Sequence, residues 1–350
     1  MRQSFKILFC FLFLSFSQPN PASNDVFDIA MGSNTKHWAH IQTQVDKDDL
    51  ATFRELFHKN ASLVKSAKGP VQIPKTVHFI WLGPRSFPPE SVSNVRSWMA
   101  QNPDWKFIFW TDRPREAPCH GMETIVLKEY PFPYLGRCYA SSENWGEKSD
   151  VLRFEILYSQ GGVYVDHDAS CLTPFEPYHQ AYRFYAGLET PHPAVVGRSI
   201  TAGNGVIGSC PGHPIVKKVI ELIDQRWDSL KEKYPGSDGF SRTQIVMERT
   251  YIALTDALDA VLDKNSANDI VFPATYFFPK KGLKPVLSEH FFANSWAASS
   301  DIQQFEKKVQ QDINKIDKKF NRLNIFLIIS MAINLLLVMG FVFINKKRTV

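Results

Sequence analysis

Asp166 and Asp168 flank His167 in "GGVYVDHDASCL" and set two carboxylates one residue apart, directly after a short apolar run. Alternate residues share a side at the end of a strand. The pair can therefore share one hard divalent cation while the residue between them points away. A cation held in this way bridges to a diphosphate and stabilises the charge that builds there when the diphosphate departs. A lone D-x-D is common and is usually a solvated turn, so the surrounding elements must decide whether this one does chemistry.

Upstream, Asp150 and Arg153 stand i, i+3 at the start of a helical run, and both can face the strand end. A carboxylate and a guanidinium there can hold sugar hydroxyls, whereas the bland reading is an ordinary surface pair. Leu152, Phe154, Ile156 and Leu157 are the apolar positions of this helix, which begins near Ser142 and is stopped by Gly161 and Gly162. "VYV" then reads as a buried strand whose carboxyl end carries the aspartates. Ligands bind at such ends in open α/β sheets.

Earlier in the chain, "IPKTVHFIWLG" (Ile73 to Gly83) reads as a first buried strand, "PPESVSNVRSWMAQNP" as a helix and "DWKFIFWTD" as a second strand. Together they predict a βαβ unit with a parallel pair. "FYAGLE", "GVIGSC" and "DIVFPATYFFP" add strands, with helices over "HPIVKKVIELIDQRWDSLKEKY" and "SRTQIVMERTYIALTDALDAVL". Residues 20–45 are polar and without period, and read as a linker outside the core. Leu50, Phe53, Leu56 and Phe57 predict an amphipathic helix within Asp46 to Ala67 that packs on the following domain.

Four ordered segments, "IPKTVHFIWLG", "SDVLRFEILYSQGGVYVDHDASCL", "NGVIGSCPGHP" and "HFFANSW", resemble the DXD-containing glycosyltransferases. That family includes the yeast Golgi initiating α-1,6-mannosyltransferase, the inositol-phosphoceramide mannosyltransferases and, more distantly, the large clostridial glucosylating toxins. The resemblance spans about Ile73 to Trp296. It implies an α/β fold of GT-A type, a Rossmann-like mixed sheet flanked by helices. It also implies a nucleotide-sugar donor (a UDP- or GDP-hexose), Mn²⁺ or Mg²⁺, and retention of anomeric configuration.

By position, Asp168 resembles the direct metal ligand, and Asp166 the residue shared between ribose and the metal's water shell. Asp150 and Arg153 match the pair that holds the donor sugar, and Trp81 an aromatic stacked on the base. Asn204 resembles the asparagine facing sugar and acceptor. Ser295 and Trp296 match a closing Ser-Trp that meets metal and diphosphate, and His290 is a further metal or phosphate contact. His167 departs from the small or apolar residue common between the two aspartates.

The 350 residues carry a formal charge of +5 with no long basic block, so nucleic-acid binding is not expected. Residues 1–22, with Arg2 and Lys6 before an apolar run from Ile7 to Phe16, read as a signal peptide or short hydrophobic segment. Residues 23–70 form the linker and amphipathic helix, 71–299 the glycosyltransferase domain and 300–324 a charged helical stalk. Ile325 to Ile344 form an apolar run long enough to cross a bilayer, and 345–350 a basic tail. The expectation is a single-pass membrane protein with an exported or lumenal catalytic domain acting on a glycan, lipid or protein hydroxyl. Cys119, Cys138, Cys171 and Cys210 lack metal-binding spacing and can be disulfides or buried thiols.

Two other readings stand beside this one. A haloacid-dehalogenase-type phosphatase also places D-x-D after an apolar strand, with the first Asp as nucleophile. A membrane-tethered protein that binds sugar nucleotides without turnover would accommodate His167.

Overall fold

The computed structural model describes residues 24–296 except 194–196 and 264, and residues 300–301, 303–305, 307–311, 314–315 and 318. The expected signal segment, transmembrane run and basic tail lie outside the described residues. The described positions of the stalk are helical. Among the described residues, no helix is long and apolar enough to cross a membrane.

The chain enters its core earlier than the sequence indicates. Asp25 caps α1 (Val26–Ala30) by accepting from the backbone N–H of Phe27 and Asp28, and this turn sends Phe27 and Met31 fully inside. The Phe27 ring lies 5.5 Å from that of Phe57. Phe27 and Met31 are therefore core, within the stretch read as linker. Two apolar side chains in a polar stretch give no period, and only the capped turn aims them. A 3₁₀ turn (Lys36–His40) leads to α2 (Gln44–Asn60), which opens with a Thr43–Asp46 capping box and buries Leu50, Phe53, Leu56 and Phe57 as expected. The short α3 (Leu63–Ser66) follows.

The sheet then builds outward from its centre. β1 (Thr76–Trp81), α4 (Val92–Gln101) and β2 (Lys106–Thr111) form the expected parallel βαβ unit, and β3 (Glu123–Val126) extends it in parallel. After α5 (Gly136–Ser141), Asn144 caps α6 (Trp145–Gln160). Gly161 and Gly162 both take positive φ, 67° and 99°, and turn the chain into β4 (Gly162–Val165). No side chain fits at this stop: a Cβ on Gly161 would sit 2.7 Å from the Ser209 carbonyl oxygen. Buried His78 on β1 locks the stop, with Nε2 donating to the Gly161 carbonyl at 2.9 Å and Nδ1 accepting from Trp110 at 3.1 Å. Burial pulls this imidazole down to about 4, so it stays neutral in the role.

The remaining elements are β5 (Ala169–Cys171), α7 (Glu176–Ala181), β6 (Phe184–Leu188), β7 (Ala202–Ser209), α8 (Pro214–Arg226), α9 (Ser229–Lys233) and α10 (Gly239–Val246). A π-helical turn (Met247–Tyr251), α11 (Ile252–Val261), β8 (Asp269–Phe272) and β9 (Ser288–His290) complete the order. Both stretches read as single long helices are thus interrupted, one between α8 and α9 and the other at the π turn.

The seven strands run in the order β3-β2-β1-β4-β7-β6-β8, and β7 pairs antiparallel with both β4 and β6. This is a mixed α/β sheet. Its order reverses between β1 and β4, so a crevice opens at their carboxyl ends, beside Trp81 and Asp166. β5 and β9 form a separate antiparallel pair. The four cysteines among the described residues are free thiols; Cys119 is half-buried and the others are buried.

Candidate active site

The crevice at the β1/β4 junction is a cleft of about 390 Å³. Every residue singled out from the sequence lines it: Trp81, Asp150, Arg153, Asp166, Asp168, Asn204, His290, Ser295 and Trp296.

β4 delivers Asp166, whose backbone N–H continues the sheet by donating to the Gly205 carbonyl at 2.8 Å. β5 leaves immediately afterwards and pairs with β9, with Ala169 opposite His290. This small sheet brings a histidine from far along the chain onto the aspartates. His290 Nε2 lies 3.2 Å from Asp166 Oδ2 and 3.4 Å from Asp168 Oδ1. One ligand atom from each of the three residues falls within 4.8 Å of the others.

Two carboxylates and one imidazole suit Mn²⁺ or Mg²⁺, and the backbone keeps the space clear. A Cβ on Gly205 would come 2.7 Å from Asp166 Oδ2 and 2.9 Å from His290 Nε2. The donor set fits a divalent cation. Asp168 Oδ2 is turned by the Ala293 N–H at 2.6 Å, leaving Oδ1 toward His290.

A buried cation orders the other wall. Arg153, on α6, reaches Asp150 Oδ1 at 2.6 Å and Asp166 Oδ1 at 3.4 Å, and its guanidinium lies 4.1 Å over the Tyr164 ring. It also donates to the Asn204 backbone carbonyl at 2.5 Å, while Asn204 Nδ2 donates to Asp150 Oδ1 at 3.2 Å. In the Asp150–Arg153 pair Arg153 is buried and Asp150 mostly so, and the pair is part of a network, not an exposed surface pair.

The electrostatics separate the carboxylates. Burial pushes Asp166 up, but the Arg153 charge and the His290 hydrogen bond outweigh it and hold the group well below the usual carboxylate range. Burial pushes His290 down, and its bonds to the aspartates pull it further up, so its ordinary value is exceeded. Asp150 is raised to about 6, because burial outweighs Arg153 and the Thr250 hydroxyl.

Raising an acid's pKa on folding removes stability as pH climbs from about 4 to about 6, and below that range the carboxyl is neutral. If ionised Asp150 holds the substrate, turnover should fall on acidification with a midpoint near 6. A pH–rate profile flat from 7 to 5 would exclude that role.

His167 does not simply point away. Its ring meets Trp81 edge-on at 5.0 Å, its Nδ1 pairs with Ser91 Oγ at 2.8 Å, and its Nε2 pairs with Ser295 Oγ at 3.0 Å. The unexpected histidine ties the closing segment to the aspartate loop. Trp81 is nearly buried and donates from Nε1 to the Arg85 carbonyl at 2.8 Å. The Trp296 carbonyl accepts from Asn144 Nδ2 at 2.9 Å, and its Cβ would lie 2.1 Å from a Cβ at Gly146. Gly146 therefore admits the closing segment onto the start of α6.

Sequence reasoning missed several residues of the site. Tyr164 donates to Asp166 Oδ1 at 2.5 Å, and its i, i+2 spacing along the strand was the available signal. Thr250 donates to Asp150 Oδ2, but it sits in a stretch with no mark beyond ordinary helical pattern. Glu189, His192, Tyr251 and Lys280 also line the cleft.

Part of this chain is similar to known proteins. Residues 88–185 match the family described as "Glycosyltransferase sugar-binding region containing DXD motif". The Legionella pneumophila subversion of eukaryotic traffic protein A is 30% identical over 171 residues, 45% of this chain and 26% of its own length. Inositol phosphoceramide mannosyltransferase 3 of Schizosaccharomyces pombe is 30% identical over 179 residues, 51% of this chain and 43% of its own. The match spans less than half of each relative. The solved PaToxG glycosyltransferase aligns over 61% of this chain and 80% of its own at 18% identity with a TM-score of 0.41. Residues 88–185, which hold Asp150, Arg153, Asp166 and Asp168, thus match a glycosyltransferase sugar-binding region containing a DXD motif.

Proposed function

We propose that the protein is a metal-dependent retaining glycosyltransferase of GT-A type, moving a hexose from a UDP- or GDP-hexose to a hydroxyl of a glycan, lipid or protein. The observation that carries this reading is the convergence of Asp166, Asp168 and His290 beside the buried Asp150–Arg153 pair in one open cleft. Asp166, Asp168 and His290 would hold Mn²⁺ or Mg²⁺, which stabilises charge on a departing diphosphate.

The chain's own residues do the positioning. Asp150, Arg153 and Asn204 bind sugar hydroxyls, and Trp81 offers an aromatic surface to the base. The closing segment with Ser295 and Trp296 excludes water from the diphosphate end. Retention follows if the acceptor oxygen bonds to the anomeric carbon on the face from which the diphosphate leaves. The anomeric C–O bond breaks, and the hydroxyl proton passes to the diphosphate oxygen.

The apolar run Ile325 to Ile344 would hold this domain at a membrane, where lipid and surface-glycan acceptors are concentrated. The full chain in detergent, screened over UDP- and GDP-hexoses with Mn²⁺, Mg²⁺ or EDTA, tests the reading. The names of the yeast relatives put mannose nucleotides first. Metal-dependent release of one nucleotide is the expected result, and no cleavage of any donor contradicts it.

A further inference from the structure

The π turn Met247–Tyr251 interrupts what would otherwise be one helix from α10 to α11, and of three consecutive side chains from it Thr250 and Tyr251 line the cleft while Arg249 anchors the turn to α6. Arg249 pairs with Glu147 at 3.1 Å, both side chains being 4% exposed, and this fastens the turn to the first turn of α6. Ser142 Oγ holds the other Glu147 oxygen at 2.6 Å, and the Arg249 guanidinium lies 4.3 Å over the Trp227 ring while donating to the Trp227 carbonyl.

The Thr250 hydroxyl, fully buried, lies between the Val246 carbonyl at 2.9 Å and Asp150 Oδ2. Tyr251 meets Thr201 Oγ1 at 2.7 Å. The geometry of a π turn explains how neighbours can do this. Successive side chains rotate by about 82° rather than about 100°, which keeps Thr250 and Tyr251 closer together on the cleft side while Arg249 turns to Glu147 and Trp227. Single π turns inside α-helices are frequent at functional sites.

We infer that the π turn is the alignment device for the donor-sugar carboxylate. Thr250 is a positioning residue that fixes the Asp150 carboxylate against Arg153, and the Arg249–Glu147 pair fixes the turn itself. The inference rests on the glycosyltransferase reading, in which Asp150 holds the donor sugar. Without the hydroxyl, Asp150 keeps Arg153 and Asn204 on Oδ1 but loses the bond that sets the rotation of its carboxylate plane.

Thr250→Val keeps the shape and removes the bond. Donor cleavage should fall about 10- to 100-fold through kcat, as expected for a misplaced positioning group. Affinity for the nucleoside diphosphate with Mn²⁺ and the melting temperature should stay as in the wild type, and Thr250→Ser should restore turnover. Wild-type turnover in Thr250→Val overturns the inference, as does a loss of turnover, nucleotide affinity and melting temperature together.

A second readout does not depend on turnover. Carboxyl-carbon NMR should show the Asp150 midpoint rising in Thr250→Val, because the hydroxyl favours the ionised form beside Arg153 and against Asp166 and Glu147. An unmoved midpoint overturns the inference even if no donor is cleaved. A wild type that cleaves no donor while the midpoint moves counts against the glycosyltransferase reading and leaves the Thr250–Asp150 link standing.

Discussion

Asp168→Asn is expected to lower metal-dependent donor cleavage by about 10²- to 10³-fold, the scale on which removal of one preorganised electrostatic group acts. The residue is 6% exposed, with Oδ2 committed to the Ala293 N–H and Oδ1 aimed at His290. Asparagine keeps the volume but can present a carbonyl to only one of these two sides. It either turns its amide nitrogen into the cation position or places N–H against N–H at Ala293. It also removes one negative charge from a site proposed to hold a divalent cation.

Asp166→Asn acts more broadly, since it also strips Arg153 and Tyr164 of a charged partner. The check is steady-state nucleotide release over a range of Mn²⁺ concentrations. If excess Mn²⁺ restored the full wild-type rate in Asp168→Asn, the residue would be shown to add affinity and nothing to the chemical step.

Gly205→Ala should nearly match that loss, about 10²-fold, although residue 205 brings no functional group. Its φ is ordinary, so backbone freedom is not the reason for glycine here. The reason is room: the added methyl would stand 2.7 Å from Asp166 Oδ2 and 2.9 Å from both His290 Cδ2 and His290 Nε2. Either the β4–β7 pairing gives way or the carboxylate and imidazole are pushed apart, opening the cluster that the small β5–β9 sheet brings together. Overpacking of this kind costs about 1–3 kcal/mol, which the melting temperature would register as a moderate drop. Weakened Mn²⁺ binding in a folded Gly205→Ala protein is the expected pairing of results. Normal Mn²⁺ binding and turnover would show that the cation lies elsewhere.

These two positions also mark how far the sequence could be read. Asp166 and Asp168 were legible because a Gly-Gly stop, a three-residue apolar strand and an i, i+3 Asp–Arg pair all act within a single stretch of chain, where local period decides direction. β1, α4 and β2 were legible for the same reason.

Gly205 carried no such signal, because its role is a clearance created by strands β4 and β7 and by a histidine brought from β9. His290 itself was placed by resemblance, and what aims it is a pairing of two three-residue strands too short to show alternation. Phe27 and Met31 were lost in a polar stretch, since a core residue set by one capped turn leaves no period. The π turn was invisible because its residues have ordinary helical composition, and its one extra residue per turn shows only in the backbone. His167 was noticed as a departure, but its partners Ser91 and Ser295 come from two distant segments.

The most direct test of the account is a Mn²⁺ titration followed by electron paramagnetic resonance, with the full chain and nucleoside diphosphate present, for the wild type and for Asp166→Asn/Asp168→Asn. The account predicts that the free Mn²⁺ signal is quenched by the wild type at one ion per chain and persists with the double variant. Equal quenching by both proteins, or none by the wild type, would contradict the assignment of Asp166, Asp168 and His290 as the cation site on which the proposed chemistry depends.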